Sequence, residues 1–187
     1  MLELISGKYR VTIADEPTHS VGSVDNVHAY DHEYHLDDAR SEYAVASRHA
    51  VQVSDNTKLI ATCILLASGG ASGVHEHSAI INNEFCIVAV GPFMASLRIP
   101  TLELQWATKS DTATCFGVYH SEKHHCYISH GEIEIARVTF GGDIVWRAFG
   151  ADIFTNGCRL LDDHVHVVDF NDMGYTFDID TGREVAG

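Results

Sequence analysis

The sequence predicts an all-β chain built from about four short antiparallel sheets in series, and three observations predict it. The first is a weak self-similarity of about forty residues through the C-terminal two-thirds. At that constant shift Phe85, His125 and Val165 coincide, as do Ile87, Tyr127 and Val167, while Gly142 falls over Gly182 and Trp106 over Trp146. A period of that size marks stacked supersecondary units, none of which buries its apolar face alone. The second is composition: β-branched and aromatic residues fill short runs, and Gly, Asn, Asp and Ser fill the gaps between them, as in hairpins. The third is that no segment keeps a 3.6-residue apolar period, so any helix would be short.

Taken in order, Lys8 to Ala14 reads as a strand, and the rest of residues 1–48 as an irregular, acidic N-terminal segment whose polar stretch from Asp15 to Arg40 forms a surface flap. The repeat region spans residues 49–187, within a single domain of residues 1–187. His49 to Ser54 and Leu59 to Ala67, joined at Asp55-Asn56-Thr57-Lys58, read as the outer hairpin of a degenerate unit. Ser68-Gly69-Gly70-Ala71-Ser72-Gly73 is a link: no Lys-Ser/Thr follows it, and a strand rather than a helix comes next, so it does not suit phosphate. The first clear copy runs from Ser78 to Trp106, with turns at Asn82-Asn83 and Gly91-Pro92. The middle copy supplies strands at Cys115 to His120, His124 to Ser129, Ile133 to Phe140 and Ile144 to Phe149. The third supplies Cys158 to Leu161, His164 to Phe170, Tyr175 to Ile179 and Glu184-Val185.

The stretch Phe177-Asp178-Ile179-Asp180-Thr181-Gly182-Arg183-Glu184-Val185 resembles the repeat of pyrroloquinoline-quinone-type β-propellers. In that family an Asp-x-x-Thr-Gly turn joins the two outer strands, and a Trp often follows and docks between blades. Trp106 and Trp146 hold that position, whereas the third copy has Ala186. The resemblance covers roughly residues 57–187 and implies a propeller-like array, either a compact four-unit arrangement or a ring completed by a homodimer. It does not imply the quinone, which needs a full ring of blades.

Charge and cysteine usage narrow the partners. With 26 acidic and 12 basic residues the formal net charge is −14, and no Lys/Arg cluster occurs, so nucleic acid is not expected as a partner. No apolar run reaches the roughly 18 residues of a membrane span. Five scattered cysteines, never spaced as CxxC, and no secretory apolar region at the N-terminus predict reduced, buried thiols and a cytoplasmic protein.

The sharpest chemical candidate is His75-Glu76-His77. On an extended chain, residues two apart share a face, so His75 and His77 would aim at one ion, zinc-like in its ligand preference, with Glu76 facing away. The repeat register sets this triplet beside Thr112 to Phe116 and Asp152 to Asn156, which predicts a pocket lined by His75, His77, Thr112, Cys115, Asp152 and Asn156. The competing reading of the two histidines is a hydrogen bond to neighbouring backbone. His120, His124 and His125 flank a turn and read as solvated, and His130 reads as serving the backbone of its own turn. No GxSxG elbow is present, and Cys115 lacks a nucleophile signature.

The sequence therefore points to a non-catalytic binding or sensing module that meets a protein or small ligand through its inter-repeat loops. The alternative is a metal-dependent hydrolase or lyase with His75 and His77 as ligands and Glu76 or Asp152 as general base.

Overall fold

The computed structural model describes residues 1–37 and 45–185. Sixteen strands form four sheets, with no helix among the described residues. The first sheet contains β1 (Leu2–Ser6), β2 (Tyr9–Asp15), β3 (His32–His35), β4 (Val45–Asp55) and β5 (Lys58–Ser68). The second contains β6 (Ala79–Asn82), β7 (Phe85–Val90), β8 (Phe93–Arg98) and β9 (Glu103–Lys109). The third contains β10 (Cys115–Ser121), β11 (Cys126–Gly131), β12 (Glu134–Thr139) and β13 (Ile144–Phe149), and the fourth β14 (Cys158–Leu160), β15 (His164–Val168) and β16 (Gly174–Asp178).

Sheets two to four are simple meanders, each strand pairing antiparallel with the next. The fourth is shorter than the repeat predicts: in place of a fourth strand at Glu184-Val185, only a bridge between Phe177 and Glu184 forms. Ala186 lies outside the described residues.

The first sheet corrects the sequence reading more deeply. Its order is β1-β2-β4-β5-β3, so the hairpin expected at the outer edge of a degenerate unit lies inside a five-stranded sheet and carries its longest strands. Much of the supposedly irregular N-terminal segment is strand. β3 pairs parallel with β5 and seals its outer edge, held in register by Asp31, whose carboxylate accepts from both the backbone N–H and the hydroxyl of Thr62 (2.8 and 3.0 Å). The flap from Glu16 to Tyr30 covers the outer face of this sheet, where Val21 and Tyr30 pack over Val45, Ile64 and Leu66. Within the stretch from Asp15 to Arg40, His32–His35 form β3, while Asp38 and Arg40 lie outside the described residues.

Three apolar cores join the sheets in sequence. Val51, Cys63 and Leu65 meet Val88, Ala95 and Leu97 between the first two sheets. Ile87 and Met94 meet Val118, Tyr127 and Val138 between the second and third. Ile128 and Ile135 meet Phe154, Val165 and Phe177 between the third and fourth. Among the described residues no core joins the fourth sheet back to the first.

The repeat period has a direct physical cause. Trp106 of the second sheet lies on Gly142 of the third, and its indole N–H donates to Phe140 O at 3.0 Å. Trp146 of the third lies on Gly182 of the fourth and donates to Ile179 O at 2.8 Å. A Cβ built on Gly182 would sit 2.5 Å from the indole, and the residue has φ +69°, so glycine is required twice over. The Asp178-Ile179-Asp180-Thr181-Gly182 turn is held by Asp178, whose carboxylate accepts from the backbone N–H and the hydroxyl of Thr181 (2.8 and 2.7 Å).

Candidate functional site

The loops that lead into β6, β10 and β14 come together at one end of the molecule. Backbone hydrogen bonds tie them to β10 and to the turn between β11 and β12: Val118 N–H donates to His77 O at 2.9 Å, Glu132 N–H to Thr114 O at 2.7 Å, and Phe154 N–H to Glu132 O at 2.7 Å. The residues named from the repeat register thus share one end of the molecule.

His75-Glu76-His77 is not extended. It forms a turn closed by Ser78 N–H donating to His75 O at 3.1 Å, and β6 begins only at Ala79. The two imidazoles consequently stand edge to face, with centroids 6.2 Å apart and planes at 80°, instead of converging on one point. His75 Nε2 lies 2.6 Å from Phe116 O, and its Nδ1 accepts from the backbone N–H of His77 at 3.3 Å, so both ring nitrogens are committed. His77 packs on the ring of Tyr119 (4.9 Å) and lies 3.6 Å from Glu76, whose side chain is 84% exposed. Among the described residues no group of three or more His, Cys, Asp or Glu side chains is placed to hold a metal ion.

The 112–116 segment divides by depth. Thr112 is exposed, while Cys115 is fully buried, with its sulfur 3.2 Å from Ser129 Oγ, and burial pushes its thiol up, away from thiolate chemistry. Asp111, the neighbour that the repeat did not single out, organises the region. Fully buried, it accepts from the N–H groups of Ala113 (2.6 Å), Thr114 (2.9 Å), Ile133 (2.9 Å) and Glu134 (2.7 Å), tying the loop before β10 to the turn between β11 and β12. Forty residues either way lie Ala71 and Ala151, so self-similarity carried no signal for it.

His130 performs the next tie. Its Nε2 donates to Phe154 O at 3.1 Å, and burial, with a smaller contribution from neighbouring His75 and His77, lowers its pKa to about 4. Asp152 and Asn156 are exposed and locally fixed. Asp152 accepts from Ile153 N–H (2.8 Å) and from the amide of Asn171 (2.7 Å), and Asn156 donates to Asp172 at 3.0 Å. Between the third and fourth sheets at this end lies a cavity of about 280 Å³ lined by Ile133, Phe149, Gly150, Ala151, Asp152 and Ile153.

The join of the first and second sheets holds a polar relay that sequence reasoning missed. Ser72, in the glycine-rich link, accepts from Gly91 N–H (2.8 Å) and lies 3.2 Å from His49 Nε2, while His49 Nδ1 is 3.3 Å from Asp15. His49 is wholly buried and burial lowers its pKa, so the neutral ring serves as a cross-sheet strut.

The opposite end has a larger cleft of about 490 Å³, between the turns at His120 to Lys123 and Leu160 to Asp162. Beside it His124, expected to be solvated, is clamped: Nδ1 lies 2.9 Å from Asp180, Nε2 3.0 Å from Asp163, and its side chain is only 9% exposed. Lys123 pairs with the same Asp163 and Arg137 with the same Asp180, so the charges at this end satisfy one another.

No known family and no curated protein matches the chain. Solved structures do. The computationally designed Ika4 protein aligns with a TM-score of 0.50 at 11% identity, over 60% of this chain and 73% of its own. The computationally designed Ika8 protein gives 0.55 at 10% over 75% of this chain and 45% of its own. Dihydro-heme d1 dehydrogenase NirN in complex with DHE gives 0.54 at 13%, over 75% and 34%. The fold is β-propeller-like. This chain spans less than half the length of Ika8 and NirN, and at these identities the likeness concerns fold alone.

Proposed function

We propose that this β-propeller-like chain is a non-catalytic binding module whose working surface is the end where the loops before β6, β10 and β14 lie. The observation that carries the reading is that each of those loops is tied by backbone hydrogen bonds, His77 to Val118 of β10, and Thr114 and Phe154 both to Glu132, so exposed polar groups are presented on backbone already fixed. Asp152 and Asn156 are held by Asn171 and Asp172, so little side-chain entropy remains to be lost when a ligand docks. Chemistry has less support there. Cys115 is buried, and both nitrogens of His75 are engaged.

The test is a titration of isotope-labelled protein with pooled short peptides and small molecules, followed by amide shift mapping. Perturbations are expected at residues 75–77, 112–116 and 152–156. Shifts confined to the turns at 121–125 and 161–163 would place the working surface at the other end and overturn the reading.

A further inference from the structure

We propose that the rim between the third and fourth sheets receives a cationic segment with apolar side chains from a partner protein, a specification that rests on the binding-module reading. Four large apolar side chains remain uncovered at this rim or beside it. Phe149 is 56% exposed at the end of β13, Ile133 is 37% exposed in the turn before β12, and Phe170 and Met173 are 63% and 59% exposed in the turn before β16. Three of them are joined, since Phe170 N–H donates to Ile153 O at 2.8 Å and Ile153 lines the same cavity as Ile133 and Phe149, while Met173 lies in the same turn as Phe170. An uncovered apolar cluster beside polar groups marks an interaction site.

Charge sets the occupant. The cavity lining holds one charged side chain, Asp152, and no basic one. Asp172 adds a second exposed carboxylate beside Asn156. Asp152 is anchored through both oxygens, by Ile153 N–H and Asn171, and Asp172 through one, by Asn156, which fixes where negative charge is presented. The whole chain carries a net charge of −14, so long-range attraction favours a positive partner as well. An apolar floor of about 280 Å³ accommodates one or two aliphatic or aromatic side chains, with Lys or Arg reaching the flanking carboxylates.

Fluorescence anisotropy with three labelled peptides tests this: Lys/Arg interleaved with Leu/Phe, the same apolar residues interleaved with Glu, and Lys/Arg interleaved with Ser. The first is expected to bind most tightly, to weaken as salt rises, and to lose roughly tenfold in affinity with Phe149→Asp and with Asp152→Asn. Both positions are exposed, and an unchanged far-ultraviolet spectrum verifies that each variant folds. Equal or tighter binding of the Glu peptide overturns the partner class while leaving the binding-module reading standing. Amide shifts at 75–77 and 112–116 with none at Ile133, Phe149 or Asp152 overturn the rim assignment alone. Absence of any binding, with silent loops throughout, sinks both. A concentration-dependent dimer by light scattering that Phe149→Asp abolishes replaces the cationic partner with a second copy and overturns the inference.

Discussion

Replacing Asp111 with Ala removes the acceptor for four backbone N–H groups in one step. The four donors are not equivalent. Ala113 is half-buried and Ile133 is exposed, so their N–H groups can turn to water after a small loop shift, whereas Thr114 and Glu134 are buried. An orphaned buried donor costs about 1–3 kcal/mol, so the two trapped groups set a loss of roughly 2–6 kcal/mol, and partial relaxation of the loops favours about 3–4 kcal/mol. Asp111→Asn keeps one acceptor oxygen but aims an NH₂ at one pair of donors, so it is expected to lose nearly as much. Urea unfolding followed by tryptophan fluorescence reads the change as a lower midpoint at unchanged slope. The consequence for the proposed binding surface is separable, because amide exchange at 112–116 and 132–134 should accelerate even where the variant remains folded. A loss below about 1 kcal/mol for Asp111→Ala, or Asn restoring full stability, would refute the claim that this carboxylate organises the loops.

Other expectations follow from the same contacts. The partner carboxylates Asp180 and Asp163 raise the His124 pKa, so its stabilisation is complete below the ordinary histidine value and is lost as pH rises through the elevated one; His124→Asn should flatten that alkaline limb of the Tm–pH curve. His130 behaves oppositely: with its pKa lowered from 6.5 to about 4, neutral-ring stabilisation is intact above 6.5 and falls away by roughly 3 kcal/mol as pH drops toward 4. His130→Gln should remove that acid slope, and an unchanged slope by thermal denaturation contradicts the assignment. Gly182→Ala should cost about 2–4 kcal/mol and shift Trp146 fluorescence, while Gly7→Ala, which has a similar positive φ (+59°) but open space around it, should cost only about 1 kcal/mol in the same unfolding assay.

What was legible in the sequence is what recurs. Trp106 on Gly142 and Trp146 on Gly182 are one contact made twice, so the forty-residue shift that aligned the residues also identified the joints between sheets. The first sheet has no counterpart in the repeat. Its β3 reaches β5 in parallel register through single anchors such as Asp31 on Thr62, which leave no periodic trace in a polar segment. The grouping of the leading loops at one end follows from parity. Four antiparallel strands return the chain to the end where it began, so β10 and β14 begin at the same end as β6 whatever their side chains are. That argument fixes an end of the molecule but not a pocket. It assigned His75 and His77 to an extended chain, where they would converge, but Ser78 closes a turn that sets their rings edge to face and commits His75 to Phe116 O. Residues that organise the same end, Asp111 and His130, are invisible to the repeat for the opposite reason: each ties two neighbouring loops whose spacing belongs to one joint only. The scaffold of this propeller-like chain therefore shows through repetition, whereas contacts that organise its loops, those of Asp111 and His130, lie where the repeats differ.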